Sequence, residues 1–339
     1  MRGILLIAAL WAAGPILAFS EETPADGAAS GAIAAATPLP VALVEALNKL
    51  SNGPHPGYRA NHAKGILVSG RFTPAPSART LSKAPHFRDA VPVLVRFSDA
   101  TGVPTLPDAD PNASPHGMAI RFLLPGGAST DIVSISANGF PVATPEDFLA
   151  FLTAAGQSGS AKAKPTPIES FLRLHPAALR FVTTPRPAPA SFATLAFYGV
   201  DAFRFTNAAG RQHFIRYQIL PDANEKALSS DDAAKAAPDY LMAELPSRLA
   251  AGPVRFRLLA QVAADGDVTD DPTSVWPPDR TLVPLGTVEL TALAPEQAQA
   301  QKLLMFDPLS LTEGIEPSAD PVLLARPSAY GVSFSQRIR

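Results

Sequence analysis

Two short segments near opposite ends of this 339-residue chain carry complementary chemistry, so its fold must bring those ends together. One is Arg59-Ala-Asn-His62-Ala-Lys-Gly65; the other is Arg326-Pro-Ser-Ala-Tyr330, followed by Arg337. Histidine is the commonest proton-transfer side chain near neutral pH. A tyrosine four residues after an arginine lies one helical turn from it, where the guanidinium favours the phenolate. Together the two segments suggest an iron site with a proton-transfer face opposite a phenolate face.

Composition narrows the chemistry. The chain has no cysteine, which excludes disulfides, thiolate-ligated haem, cysteine-ligated iron–sulfur clusters and cysteine nucleophiles. Redox chemistry therefore needs a bound cofactor. The 28 basic residues are balanced by 30 acidic ones and form no basic block, so nothing argues for nucleic acid as a partner. At 47% hydrophobic, the chain can bury a sizeable core in one or two domains.

The N-terminus reads as an export signal over residues 1–20. Arg2 precedes an apolar run from Ile4 to Ala18, and Ala18-Phe-Ser20 is a small-x-small cleavage site. The run is interrupted by Gly14-Pro15 and is short for a bilayer span, so no stable membrane insertion is expected after cleavage. In a bacterium the mature protein would be periplasmic. Residues 21–38, rich in Ala, Thr, Pro and Gly, read as a disordered tether, leaving 39–339 as the folded domain.

From about residue 40 the pattern is α+β. Val41 to Leu50 reads as a short amphipathic helix. Strand signals follow at Gly65 to Phe72, Val91 to Phe97, Gly117 to Leu123 and Asp131 to Ser136, each bounded by Pro, Gly or Asp clusters. Pro145 starts a helix with acids in its first turn. A proline-rich linker is expected from there to about Ala190. Ala202 to Thr206 and Gln212 to Leu220 alternate like a hairpin across Asn207-Ala-Ala-Gly210, and Val254 to Val262 and Leu282 to Leu290 supply two more strands. Asp231 to Ala251 is the clearest helix. A large antiparallel sheet closed into a barrel fits this pattern, because closure removes exposed edges.

Several motifs in order make residues 40–339 resemble the haem catalases, and most closely the short catalase-related peroxidases. They are the heptapeptide Arg59 to Gly65, Val95-Arg96-Phe97-Ser98, Asn138, Phe148, Phe306-Asp-Pro308, Gly314-Ile-Glu-Pro317, Asp320-Pro321 and the terminal Arg326, Tyr330 and Arg337. The resemblance implies a catalase-like antiparallel barrel with surrounding helices that binds haem b. It also implies roles: His62 as the distal base, Ser98 as its hydrogen-bond partner and Asn138 as a donor to the bound peroxide. Phe148 would pack over the haem, Arg59, Arg96 and Arg337 would hold its propionates, and Tyr330 would ligate its iron with Arg326 stabilising the phenolate.

Implied activity is reduction of hydrogen peroxide or organic peroxides with a small organic electron donor, with weak catalase activity alongside. A hydroperoxide isomerase and a non-catalytic haem- or lipid-binding barrel remain the alternatives, and a homodimer is compatible with each. The chain ends just past Tyr330, without the wrapping and C-terminal helical regions of larger family members, so no NADP site is expected. His55, His86, His116, His175 and His213 read as structural or solvated, and Asp99 has no assigned role. For export, intact-mass measurement of protein from its native host should find the mature chain starting near Glu21.

Overall fold

The computed structural model describes residues 36–339; the expected signal segment and most of the expected tether lie outside the described residues. Ten strands follow in chain order: β1 (Gly65–Pro74), β2 (Val91–Ser98), β3 (Gly117–Leu123), β4 (Ser129–Ile135), β5 (Phe197–Tyr198), β6 (Phe203–Thr206), β7 (Gln212–Pro221), β8 (Val254–Val262), β9 (Leu282–Leu293) and β10 (Ile315–Pro317). All pair antiparallel in the order β10-β6-β7-β5-β4-β3-β2-β1-β9-β8. A further pairing of β7 with β8 closes β1–β5 and β7–β9 into an eight-stranded barrel, with β6 and β10 as a side flap.

The pleat divides each strand between two jobs. Along β2 and β3, the pairs Val93–Phe122, Val95–Ile120 and Phe97–Met118 point into the barrel and are buried there with Phe72, Phe197, Tyr217, Phe256 and Val288. The alternate pairs Leu94–Arg121, Arg96–Ala119 and Ser98–Gly117 face outward. That outer face is covered by the helix Gln297–Leu303 and the chain leading to Phe306, which pack a small second cluster on Leu67, Leu94, Ala119 and Val133. Strand alternation thus builds a dry core on one side and frees Arg96 and Ser98 for a site on the other.

Prolines start helices here more often than they break them. The helices Leu39–Leu50, Pro145–Ser158, Pro167–Leu174, Pro176–Thr183 and Pro321–Arg337 all carry proline in the first turn, where no N–H is needed. The expected proline-rich linker is therefore corrected: two of these helices occupy it. The first has a reciprocal Thr166–Glu169 capping box, whose Thr-x-x-Glu spacing was present in the sequence. The expected single helix Asp231–Ala251 is instead two, Ser230–Lys235 and Tyr240–Ala251. Pro238 lacks a donor and disfavours helical geometry at Ala237. The break is used: the Pro238 carbonyl accepts from Lys64 Nζ at 3.0 Å and from the Asp108 N–H at 2.8 Å.

Barrel curvature depends on a register shift at Ser69/Gly70, where β1 meets β9. A Cβ on Gly70 would lie 2.0 Å from the Glu289 carbonyl oxygen, a backbone atom that cannot move without disturbing the ladder. Gly70→Ala should cost about 1–3 kcal/mol, the usual range for overpacking. A lowered urea midpoint with an unchanged site spectrum would bear this out; an unchanged midpoint would refute it.

Candidate active site

The two terminal segments meet on the outer face of the barrel. The Ala60 N–H donates to Ser333 Oγ at 3.1 Å, and Asn48 Nδ2 donates to Gln336 Oε1 at 2.9 Å. Arg59 and Arg337 both donate to the Leu304 carbonyl, at 2.6 and 3.1 Å. The C-terminal helix Pro321–Arg337 starts on Asp320, whose carboxylate accepts from the Val322 and Leu323 N–H groups. Asp320 Oδ2 is buried without a partner, and burial, with repulsion from Asp201, pushes its carboxyl up to about 7.

His62 sits in a left-handed backbone conformation, φ 54°, held by its N–H to the Ala100 carbonyl. Its Nδ1 lies 3.1 Å from Ser98 Oγ. Gly117, which pairs with Ser98 across the ladder, leaves room for the ring: a Cβ there would come within 2.9 Å of His62 Nδ1 and 2.7 Å of Ser98 Oγ. Burial, then repulsion from Arg96, His116 and Arg326, lowers the His62 pKa to about 3 against the pull of the Asp99 carbonyl. The imidazole is thus neutral and ready to accept a proton across the physiological range. Asn138 follows β4, is exposed, and makes no hydrogen bond to another described side chain. Phe148 packs on Phe140, with ring centroids 5.1 Å apart.

On the opposing helix the Tyr330 hydroxyl accepts from Arg326 Nε at 3.0 Å and Nη2 at 2.8 Å. Arg326 Nη1 donates to Asp201, 2.5 Å away and almost fully buried. Burial would lower the Arg326 pKa, but attraction to Tyr330 and Asp201 outweighs it and raises it. The guanidinium is a fixed cation on the phenol oxygen. Sequence reasoning named Arg326 and Tyr330 but missed Asp201, which lies 125 residues from Arg326 and belongs to no motif.

Arg59, Arg96 and Arg337 form the third part. Among the described residues, their hydrogen bonds go only to backbone carbonyls and the Gln301 amide oxygen. Burial and mutual repulsion hold Arg59 well below its ordinary pKa and bring Arg96 down to about 9. Burial brings Arg337 down to about 10. Gly65 completes the fit, since a Cβ there would meet Arg96 Nη2 at 2.5 Å. Clustered, desolvated guanidiniums without a carboxylate suit a ligand that brings its own carboxylates. With an apolar cluster on the outer face, a phenol held by a guanidinium and a buried imidazole, the residues fit haem.

A family model for catalase matches residues 41–339. The chain belongs to the catalase family. Among its relatives, a catalase-related peroxidase of Mycolicibacterium paratuberculosis is 40% identical over 291 residues, covering 85% of this chain and 91% of that protein. One from Synechococcus elongatus is 34% identical, covering 85% of each. Rat catalase is 28% identical, and the match spans only 56% of its length. The fold is similar to that of a fungal catalase crystal structure, with TM-score 0.73 and 24% identity over 87% of this chain and 62% of that one. This catalase-family protein is therefore a peroxidase, an oxidoreductase acting on peroxide.

The buried neutral imidazole has a stability consequence. Unfolded His62 takes up a proton near its ordinary pKa of 6.5, whereas the folded ring does so only near 3. Unfolding therefore binds protons between these values, so stability is full above pH 6.5 and falls as the pH drops toward 3. The slope approaches about 1.4 kcal/mol per pH unit for each such group. His86, buried against Phe122 and also lowered to about 3, adds a second. Urea midpoints between pH 7 and 4 should fall, and the fall should be shallower in His62→Ala.

Proposed function

We propose that this peroxidase uses haem b to reduce hydrogen peroxide or organic peroxides with electrons from a small organic donor, with slow disproportionation of hydrogen peroxide as a side reaction. The observations that carry this are an arginine cluster with no carboxylate among its described hydrogen-bond partners, a buried neutral imidazole and an arginine-supported tyrosine. Arg59, Arg96 and Arg337 would hold the propionates, and Tyr330 would be the protein ligand to the iron. When bound, haem supplies the iron at which the peroxide O–O bond is reduced.

The chain's own residues manage binding and protons. His62 takes the proton from one peroxide oxygen and returns it to the departing one, which an imidazole kept neutral by burial can do without first losing a proton of its own. Ser98 and Gly117 fix the ring's direction. Asn138, exposed two residues beyond Ser136, would donate to a bound peroxide. Phe148, packed on Phe140, would give this side an apolar wall. Arg326, braced by Asp201, aims two N–H groups at the Tyr330 oxygen and would fix its direction.

His62→Ala should retain haem yet react with peroxide on the order of 10²-fold more slowly, the usual worth of a positioned acid–base. Parent-like rates would refute the distal assignment. Tyr330→Phe keeps the ring and its packing but removes the oxygen, so it should lose haem or show an absorption spectrum without phenolate ligation. An unchanged spectrum would remove the proximal assignment.

A further inference from the structure

A row of aromatic rings leads away from Phe148. Phe148 packs on Phe140 on one side and stacks on Phe151 on the other, with centroids 5.1 and 6.4 Å apart. Phe151 meets Phe171 at 5.7 Å, and Phe171 lies flat against the His175 imidazole at 3.8 Å and 6°. Phe148 and Phe151 are three apart on the helix Pro145–Ser158, and Phe171 and His175 are four apart at the end of the helix Pro167–Leu174, so each pair shares one helix face. All five rings are half-buried, and none belongs to the barrel core or to the small cluster outside it. They pack on one another while each keeps part of its surface open to solvent.

The outer end of the row is polar. His175 Nδ1 lies 2.9 Å from the Phe171 carbonyl, which has no proton to give, so Nδ1 is the donor and the neutral ring presents Nε2 as an acceptor. Nε2 stands 4.0 Å from Asp147 Oδ1, with 31% of the histidine and 44% of the aspartate side chain exposed. Two acceptors that far apart do not bond each other; they suit a hydroxyl hydrogen brought by a third group. Asp147 precedes Phe148 and lies four residues before Phe151, so these acceptors flank the row. Leu174, next to His175, is 77% exposed and extends the apolar surface outward.

This arrangement is the complement of a flat apolar ring with a hydroxyl at its edge. Aromatic rings prefer offset or edge contacts of the kind the row already makes. An anion would meet the Asp147 carboxylate, and a sugar or small amine has no flat apolar face to offer. We propose that the row is the docking site of the electron donor and that the donor is a neutral phenol, its ring on Phe151 and Phe171 and its hydroxyl on His175 Nε2 beside Asp147. The inference deepens the haem-peroxidase reading and rests on it. Two phenols oxidised to phenoxyl radicals release the two electrons and two protons that turn one hydrogen peroxide into two waters, so no further reductant is needed.

The test titrates 4-fluorophenol and 4-fluoroanisole, followed by fluorine NMR, into the haem-loaded parent, Phe171→Leu and His175→Phe without peroxide, at pH 8, where free imidazole is neutral. His175→Phe keeps a ring on Phe171 and removes Nε2. The parent should bind 4-fluorophenol saturably. His175→Phe should weaken that binding about tenfold, roughly one hydrogen bond, and leave 4-fluoroanisole, which has no O–H, as in the parent; Phe171→Leu should weaken both. With peroxide present, the KM for phenol should rise by a similar factor in His175→Phe while kcat changes less. Should His175→Phe not fold, Asp147→Ala, which removes the other acceptor, should weaken 4-fluorophenol alone. No saturable binding by the parent, parent-like binding in the variants, or equal losses of both ligands in His175→Phe overturns the site. A parent that binds 4-fluorophenol in this way yet does not oxidise phenol with peroxide overturns the donor role and the peroxidase reading beneath it, so the two failures are distinguishable.

Discussion

A single backbone carbonyl, that of Leu304, accepts hydrogen bonds from Arg59 and Arg337, and through it the two ends of the folded domain become one surface. Around it the contacts are sparse but aimed. Ala60 meets Ser333, Asn48 meets Gln336, and the Gln301 amide oxygen accepts from Arg96. The segment Gln297–Leu304 thus serves as a keystone between the N-terminal heptapeptide and the C-terminal helix. Its own anchor is the outer face of β1, where Gln297 exchanges hydrogen bonds with the Leu67 backbone. Barrel and site are coupled, because Arg96 and Gly65 belong to the β1–β2 ladder and Ser98 and Gly117 to the β2–β3 ladder.

The outer face of β2 and β3 carries two residues of the candidate site, Arg96 and Ser98. Arg96 and Ser98 stand two apart, as the pleat demands for one face, while Val95 and Phe97 between them are fully buried in the barrel. Small partners opposite them are as important as the functional groups. Ala119 faces Arg96, and Gly117 faces Ser98; a Cβ at Gly117 would crowd the His62 ring. On the facing helix the charge order is carboxylate, guanidinium, phenol, read from Asp201 outward. Removing the guanidinium would leave Asp201 buried and unpaired, so Arg326 is a structural as well as a chemical member of the site.

Much of this was legible in the chain because it resides in side chains with narrow chemistry. His62, Ser98, Asn138, Tyr330 and the four arginines stood out by type and order, and the strands by their alternation. The barrel strands β1–β4 begin and end within two residues of the expected bounds. What was not legible depends on pairing across sequence. The two-residue strand β5 is too short to show a period, and Asp201 and the Leu304 carbonyl have no local signature at all. His116 looked ordinary because its partner, Asp99, is 17 residues away in sequence. Proline misled in both directions, since Pro167 and Pro176 begin helices whereas Pro238 ends one.

Three guanidiniums packed together, with no carboxylate among their described hydrogen-bond partners, are a standing electrostatic tension inside the folded chain. Any dianion that relieves it does so only in the folded state, because the unfolded chain scatters these residues. Folding and cofactor loading are then two views of one equilibrium, in which apparent stability rises with the logarithm of free cofactor concentration. Cells that run short of the cofactor would accumulate a chain that opens and is degraded more readily, so supply of the prosthetic group would set not only how much enzyme is active but how much of the protein survives.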